Sequence, residues 1–517
     1  MAKDRTISRK KTAWWGLLFH YASIGVSFVS GFIVLPISLK FIPLDLYGAW
    51  LASGNILIWL TVIDPGLGAV LQQRIGEAYG GKNYRSLPSL AWSGFAINGV
   101  IVAVIVMAGL VLTDFVPSLL KLPQSIDASL VKNAFAWAVA GTGLSFLAFA
   151  IAHVNVGLQA TVGMGFPFFI VSLGSIALTV VLLYNGFGIM AAPFANVFRG
   201  GVLLIWNAGY LCWRFRSEGV SMAPSLGDVR GLLRLTTYTF ASNSLGNLAN
   251  SFDSFLVARV LGAGQVPILR ATRTTIESFR PLVERPFVAL MPALSHLTGS
   301  GELDKSRTVL LRLTVLTIWA VGLIGGGFLS LNDRLVTLWV GMGLFAGHSV
   351  NALLCLGFVV GSICAGLTNV CFSLGAIEKT SRIRTIQGVL QIFLMVMFGW
   401  YFGMIGIVAA PLLATVCVGG WMVPRLFGSL LKFERAEYLR LGRESLYAVA
   451  AAVAASLSVY LLRPTSWFYL SLCAFLFTVV FTSFLAAISS TFRAEVQEGW
   501  RFAITVASRN DHKRMAI

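Results

Sequence analysis

Apolar runs of about twenty residues recur along almost the whole chain, parted by short polar segments. In lipid such runs have to be helices, because every backbone N–H and C=O must find its partner within the segment. The pattern predicts an all-α membrane protein with a first set of spans over 13–38, 46–67, 88–113, 132–157, 162–185 and 188–213. A second set follows over 235–260, 267–295, 308–331, 349–375, 383–403, 405–428, 444–462 and 467–490, which brings the total to fourteen. The first run follows a basic head, as in a signal peptide, but it is too long and no small-residue cleavage site follows it. It reads as a retained span.

Composition agrees with this reading. Of 517 residues, 57% are hydrophobic and only 12% charged, too little polar surface to cover a soluble globule. The formal net charge of +18 raises the question of nucleic acid. However, the basic residues stand in short blocks between apolar runs, as the positive-inside rule places them, so no nucleic-acid partner is expected. With the N-terminus in the cytoplasm, 28 of the 39 basic residues fall on the cytoplasmic side, six fall outside and five lie within spans. Both termini are therefore expected in the cytoplasm. The six cysteines show no metal-ligand or CxxC spacing and read as packing residues. No cofactor is expected, and the absence of GxxxxGK[ST] argues against direct use of ATP.

The chain looks internally duplicated. GIMAAP at 188–193 returns as GIVAAP at 406–411, and Gly157 maps onto Gly375 at the same offset of 218. Each repeat holds six spans, so both enter the membrane from the same side and an axis along the membrane normal relates them. The expected organisation is an N-terminal six-helix lobe over 1–213, a cytoplasmic basic loop over 214–234 and a C-terminal six-helix lobe over 235–430. Two further spans over 444–490 and a cytoplasmic basic tail over 491–517 complete it.

One span is anomalous. RATRTTIESFRPLVER, at 270–285, carries four arginines and two glutamates. Removing it as a span would invert everything downstream and carry sixteen basic residues outside, and under the duplication it aligns with the plainly apolar second span. Arg270, Arg273, Glu277, Arg280 and Glu284 recur at three- and four-residue intervals and so share one helical stripe, while Ile276, Phe279, Val283 and Phe287 lie on another face. An arginine at mid-bilayer costs roughly 2.5–3.5 kcal/mol on insertion scales, so the stripe must face protein or water. Glu277 and Glu284 lie within i+3 or i+4 reach of the arginines and offset part of the charge. Lobe-packing salt bridges are one reading. An anion-accepting cavity is the other, favoured by Pro281 and Pro286, which free backbone carbonyls.

The candidate anion-binding set is thus Arg270, Arg273, Arg280 and Arg285, with Arg199 as a lone intramembrane cation and Asn247 and Asn250 from a polar stripe in the seventh span. For these asparagines, interhelical hydrogen bonding is an equal alternative. Asp64, Asp253, Glu277 and Glu284 are candidates for coupling to H+ or Na+. His153 with Asn155 reads as a hydrogen-bonded helix contact rather than a proton relay.

FIPLDLYGAW at 41–50, followed by VIDPGLGAVLQQRIGEAYGG at 62–81, resembles the start of bacterial Wzx-type polysaccharide flippases, relatives of the MATE exporters and lipid II flippases. The likeness runs through Tyr47, Gly48, Trp50, Asp64, Gly66 and Gly68, although FIPLD stands where the family often has a glycine. It implies a non-enzymatic carrier of the MOP superfamily in the bacterial cytoplasmic membrane. Such a carrier would move an undecaprenyl-diphosphate-linked oligosaccharide to the outer leaflet alongside polysaccharide assembly machinery. A cationic stripe suits a diphosphate, since arginine gives planar bidentate donors to phosphate oxygens. A MATE-like drug antiporter or a lipid II flippase is the alternative. A membrane polymerase or glycosyltransferase fits less well, because the outside loops near 114–131 and 332–348 are short and lack paired carboxylates.

Overall fold

The computed structural model describes residues 22–498 apart from 23, 24, 27, 28, 62–66, 81, 123–125, 159, 222, 300–302 and 463. Within helices the side chains of 55–61, 69, 80, 161, 162, 234–247, 250, 288–299, 303–306 and 377 also lie outside the description. Every regular element among the described residues is helical, and short turns and loops join them. The first helices are α1 (Val29–Phe41), α2 (Leu44–Thr61), α3 (Leu67–Gly80), α4 (Leu87–Thr113) and the single turn α5 (Val116–Leu119). They are followed by α6 (Ala128–Gly157), α7 (Thr161–Tyr184), α8 (Ala191–Ser217), α9 (Val229–Leu261) and α10 (Gln265–Gly299). The series ends with α11 (Leu303–Val340), α12 (His348–Ser373), α13 (Ile377–Ala414), α14 (Gly420–Leu431), α15 (Arg435–Tyr460) and α16 (Trp467–Ile488).

Each expected span from 46–67 onward falls on helix among the described residues, whereas much of the first, 13–38, lies outside the described residues. Eight helical stretches among the described residues are long and apolar enough to cross a membrane. One of them, Glu378–Leu431, runs for 54 residues, about 80 Å at 1.5 Å per residue and too long for one crossing. It divides at Gly403, whose φ of 59° and ψ of −135° are open to glycine and not to side-chain-bearing residues. That break falls where two spans were expected to meet. The helix α3 was not expected, because its buried Leu67, Leu71 and Ile75 alternate with exposed Gln73, Arg74 and Glu77, so no window along it is apolar enough to register as a span.

The described residues fall into two compact units. One comprises the described chain up to Thr274 with Ser381–Ala414; the other comprises Thr275–Thr380 with the described chain from Thr415. In the first unit, α6 and α8 approach closely through Gly141 and Gly200, where an added Cβ would meet opposing backbone at 2.9–3.0 Å. Asn155 Nδ2 donates to the Asn207 carbonyl (3.0 Å) and Asn207 Nδ2 to the Ala148 carbonyl (2.9 Å), as polar glue between apolar helices. Asp127 caps α6 by accepting from the Ser129 N–H at 2.8 Å.

In the second unit α15 and α16 dock on α11. Gly322, Gly326 and Ser330 of α11 meet Ala448, Ala452 and Ser456 of α15 in a seam of small residues, closed by a 2.8 Å hydrogen bond between the two serine hydroxyls. Val315, Ile318 and Trp319 pack with Phe477, Phe481 and Leu485 of α16. Near the start of α11, Arg307 is held by Glu437 (2.5 Å) and Glu434 (3.2 Å), which together form the capping box of α15. Arg312 is held by Glu495 (2.6 Å) and Glu498 (2.8 Å). Of the six cysteines, Cys355, Cys364, Cys371 and Cys473 are buried as packing residues, whereas Cys417 is exposed.

Candidate functional site

The arginine-rich segment is one helix. α10 runs for 35 residues, roughly 52 Å and enough to cross a hydrocarbon core of about 30 Å. The helix continues through Pro281 and Pro286 without interruption.

The N-terminal part of α10 belongs to the first unit, and there the sequence motif around Tyr47 positions it. Gly48 lies so close to the turn between α9 and α10 that an added Cβ would stand 1.8 Å from the Ala263 carbonyl oxygen and 3.0 Å from Pro267 Cδ. Tyr47 is buried, shares a hydrogen bond with Ser38 and lies within electrostatic reach of Arg270. The Tyr-Gly pair therefore seats the first turn of α10 and puts a phenol near its first arginine. The periodicity of α10 carries no sign of this; the signal lay in the motif itself, with Tyr47 223 positions before Arg270 in the chain but adjacent to α10 in space.

Arg273 Nη1 forms an ion pair with Asp253 Oδ2 of α9, and its Nη2 reaches Ser254 Oγ at 3.4 Å. Asp253 Oδ1 accepts from the Ser254 N–H (2.6 Å) and hydroxyl (3.2 Å). Both charged side chains are 14% exposed. Two residues read from the sequence as separate, one for anion binding and one for ion coupling, are thus joined across two helices.

In the second unit, Ile276, Val283 and Phe287 of α10 are buried, the first two against Val321, Phe328, Cys355 and Phe358. Phe287 lies against Gly366, where an added Cβ would be 2.5 Å from the ring. The expected apolar face is therefore the packing face, with Phe279 only partly buried. On the other faces Arg280 is exposed, and Glu277, Glu284 and Arg285 are partly buried.

Arg199 stands apart from this set. It projects from α8 over the Phe168 ring of α7, 5.2 Å from its centroid, and its buried Nε has no hydrogen-bond partner among the described residues. Asp64 and the side chains of Asn247 and Asn250 lie outside the described residues. His153 Nδ1 meets Gln72 Oε1 at 3.1 Å, in line with a structural contact. A buried carboxylate that sequence reading missed is Glu444 of α15, 1% exposed, whose Oε2 accepts from Trp319 Nε1 (3.2 Å) and Ser489 Oγ (2.8 Å). Among the described residues no group of three or more His, Cys, Asp or Glu is placed to hold a metal ion.

A multi-pass, all-α membrane protein with four arginines and two glutamates along one helix is the class these features define. No protein-family model matches the chain, and no curated protein matches it. Solved structures do. The lipid II flippase MurJ, in an inward closed conformation, superposes with a TM-score of 0.68 at 16% identity, over 93% of this chain and 100% of its own. An inward-facing multidrug resistance MATE family transporter of the MOP superfamily gives 0.58 at 18% identity, over 81% and 95%. The Vibrio cholerae MATE transporter VcmN in its bent form gives 0.53 at 16%, over 83% and 99%. At such identities the likeness is one of fold: the chain has the all-helical, MOP-like architecture shared by MurJ and the MATE proteins.

Proposed function

We propose that the protein is a flippase that carries an undecaprenyl-diphosphate-linked oligosaccharide across the bacterial cytoplasmic membrane by alternating access, for polysaccharide synthesis. The observation that carries this reading is α10, a helix with Arg270, Arg273, Arg280 and Arg285 on a MOP-like fold. A diphosphate entering the bilayer has to exchange its hydration for charge-assisted hydrogen bonds, and guanidinium groups supply them in pairs. The proposal includes the division into six-helix lobes over 1–213 and 235–430, cytoplasmic termini, and coupling to H+ or Na+ through Asp64, Asp253, Glu277 or Glu284. Polysaccharide assembly enzymes are the proposed working partners.

The fold match to MurJ favours lipid II as the second reading, since it too is a lipid-linked substrate by that protein's name. A MATE-like antiporter of cationic drugs fits less well, because a net positive helix repels them. Charge reversal at Arg273 or Arg280 is expected to abolish surface polysaccharide while the protein remains in the membrane. Normal polysaccharide in either variant refutes the proposal, and drug resistance conferred by expression would point to the antiporter instead.

A further inference from the structure

Asp253 has a place in this scheme that neither a substrate ligand nor a coupling site describes. We propose that it is the resident counter-anion of Arg273: it occupies the guanidinium while no substrate is bound, and the transported anion has to displace it. This rests on the reading of α10 as the anion-binding helix.

The geometry has three parts. First, Asp253 Oδ2 engages Arg273 Nη1 directly, so the group available to a phosphate oxygen is already filled. Second, the carboxylate is secured from its own helix, since Oδ1 takes both the N–H and the hydroxyl of Ser254. It therefore keeps hydrogen bonds when the arginine turns to another anion, and the exchange leaves no bare carboxylate behind. Third, both side chains are largely buried, at 14% exposure each, so neither charge is well served by water alone.

A carrier that releases an anion and returns empty must pass through a state in which its cations have lost their ligand. A lone buried guanidinium would make that state costly and would hold the anion too tightly to let it go. A carboxylate one helix away removes both difficulties. Ser254 Oγ, 3.4 Å from Arg273 Nη2, bridges the two helices and steadies the pair.

The full-length protein in lipid nanodiscs is titrated with inorganic pyrophosphate and with undecaprenyl diphosphate, as wild type, Asp253→Asn and Arg273→Gln, and is assayed for translocation in vesicles. Asp253→Asn is expected to bind both probes about tenfold more tightly, since one charge-assisted pair no longer competes, and to translocate more slowly. Affinity and turnover moving in opposite directions is a result that a purely structural aspartate would not give. Should Asp253→Asn fail to fold, Asp253→Ser also removes the competing charge and is expected to tighten binding by a similar factor. If Arg273→Gln weakens binding while Asp253→Asn or Asp253→Ser leaves it unchanged or weaker, the counter-anion is overturned and the anion site stands. If Arg273→Gln binds both probes as wild type does, the anion site itself fails and the counter-anion fails with it.

Discussion

Gly48 and Gly54 lie six residues apart on α2, and replacing each by alanine should move stability in opposite directions. At Gly48 the new Cβ would stand 1.8 Å from the Ala263 carbonyl oxygen and 2.5 Å from its carbon, both backbone atoms that cannot rotate away. A relaxed carbon–oxygen contact needs roughly 3.2 Å or more, so α2 and the α9–α10 turn would have to part by over an ångström, an overpacking cost of about 1–3 kcal/mol. At Gly54 nothing among the described residues lies within 4 Å of the added carbon, and alanine gains roughly 0.5–1 kcal/mol over glycine in a helix interior. Thermal melts of the purified full-length protein in detergent should therefore fall by several degrees for Gly48→Ala and hold or rise for Gly54→Ala. α10 begins at Gln265, two residues after the contact, so Gly48→Ala should also displace Arg270 and weaken pyrophosphate binding. A Gly48→Ala melt equal to wild type, or equal shifts in both variants, would refute the close approach of α2 to the turn.

Two further outcomes are expected. Gly403→Ala, at a backbone conformation closed to side-chain-bearing residues, should lose about 1–3 kcal/mol and lower the melting temperature; a neutral result would mean that the break between the two halves of α13 lies elsewhere. The hydrogen bond from Arg307 holds the Glu437 carboxyl below the usual glutamate range. Its stabilisation is therefore complete above that range and fades as pH falls through the lowered value, so the melting difference between wild type and Glu437→Gln should be present at pH 7, close in acid, and shrink in high salt.

The sequence made most helices legible because hydropathy over twenty residues is a collective signal. Even the charged α10 could be recognised as a helix, from the three- and four-residue spacing of its arginines and glutamates and from the loop charges around it. α3 escaped because its apolar residues occupy a single stripe, so averaging cancelled them. The partner of Arg273 escaped for a different reason. Spacing rules see neighbours along one helix and so offered Glu277, whereas Asp253 sits 20 residues earlier on another helix. Only packing could bring it there. The role of Tyr47 and Gly48 was half legible: the pair stood out as a motif, but nothing along the chain said that it would meet the turn before Arg270.

The seam between α11 and α15 bears on how relatives of this chain should be sorted. With α15 absent, Gly322, Gly326 and Ser330 would leave a bare strip of α11 backbone against lipid, with nothing bulky to cover it. A related chain that lacks α15 should therefore carry branched apolar residues at those three positions, and one that keeps α15 should keep them small. Three positions on α11 would then act as a tally mark, reporting from mid-sequence whether the final two helices are part of the protein.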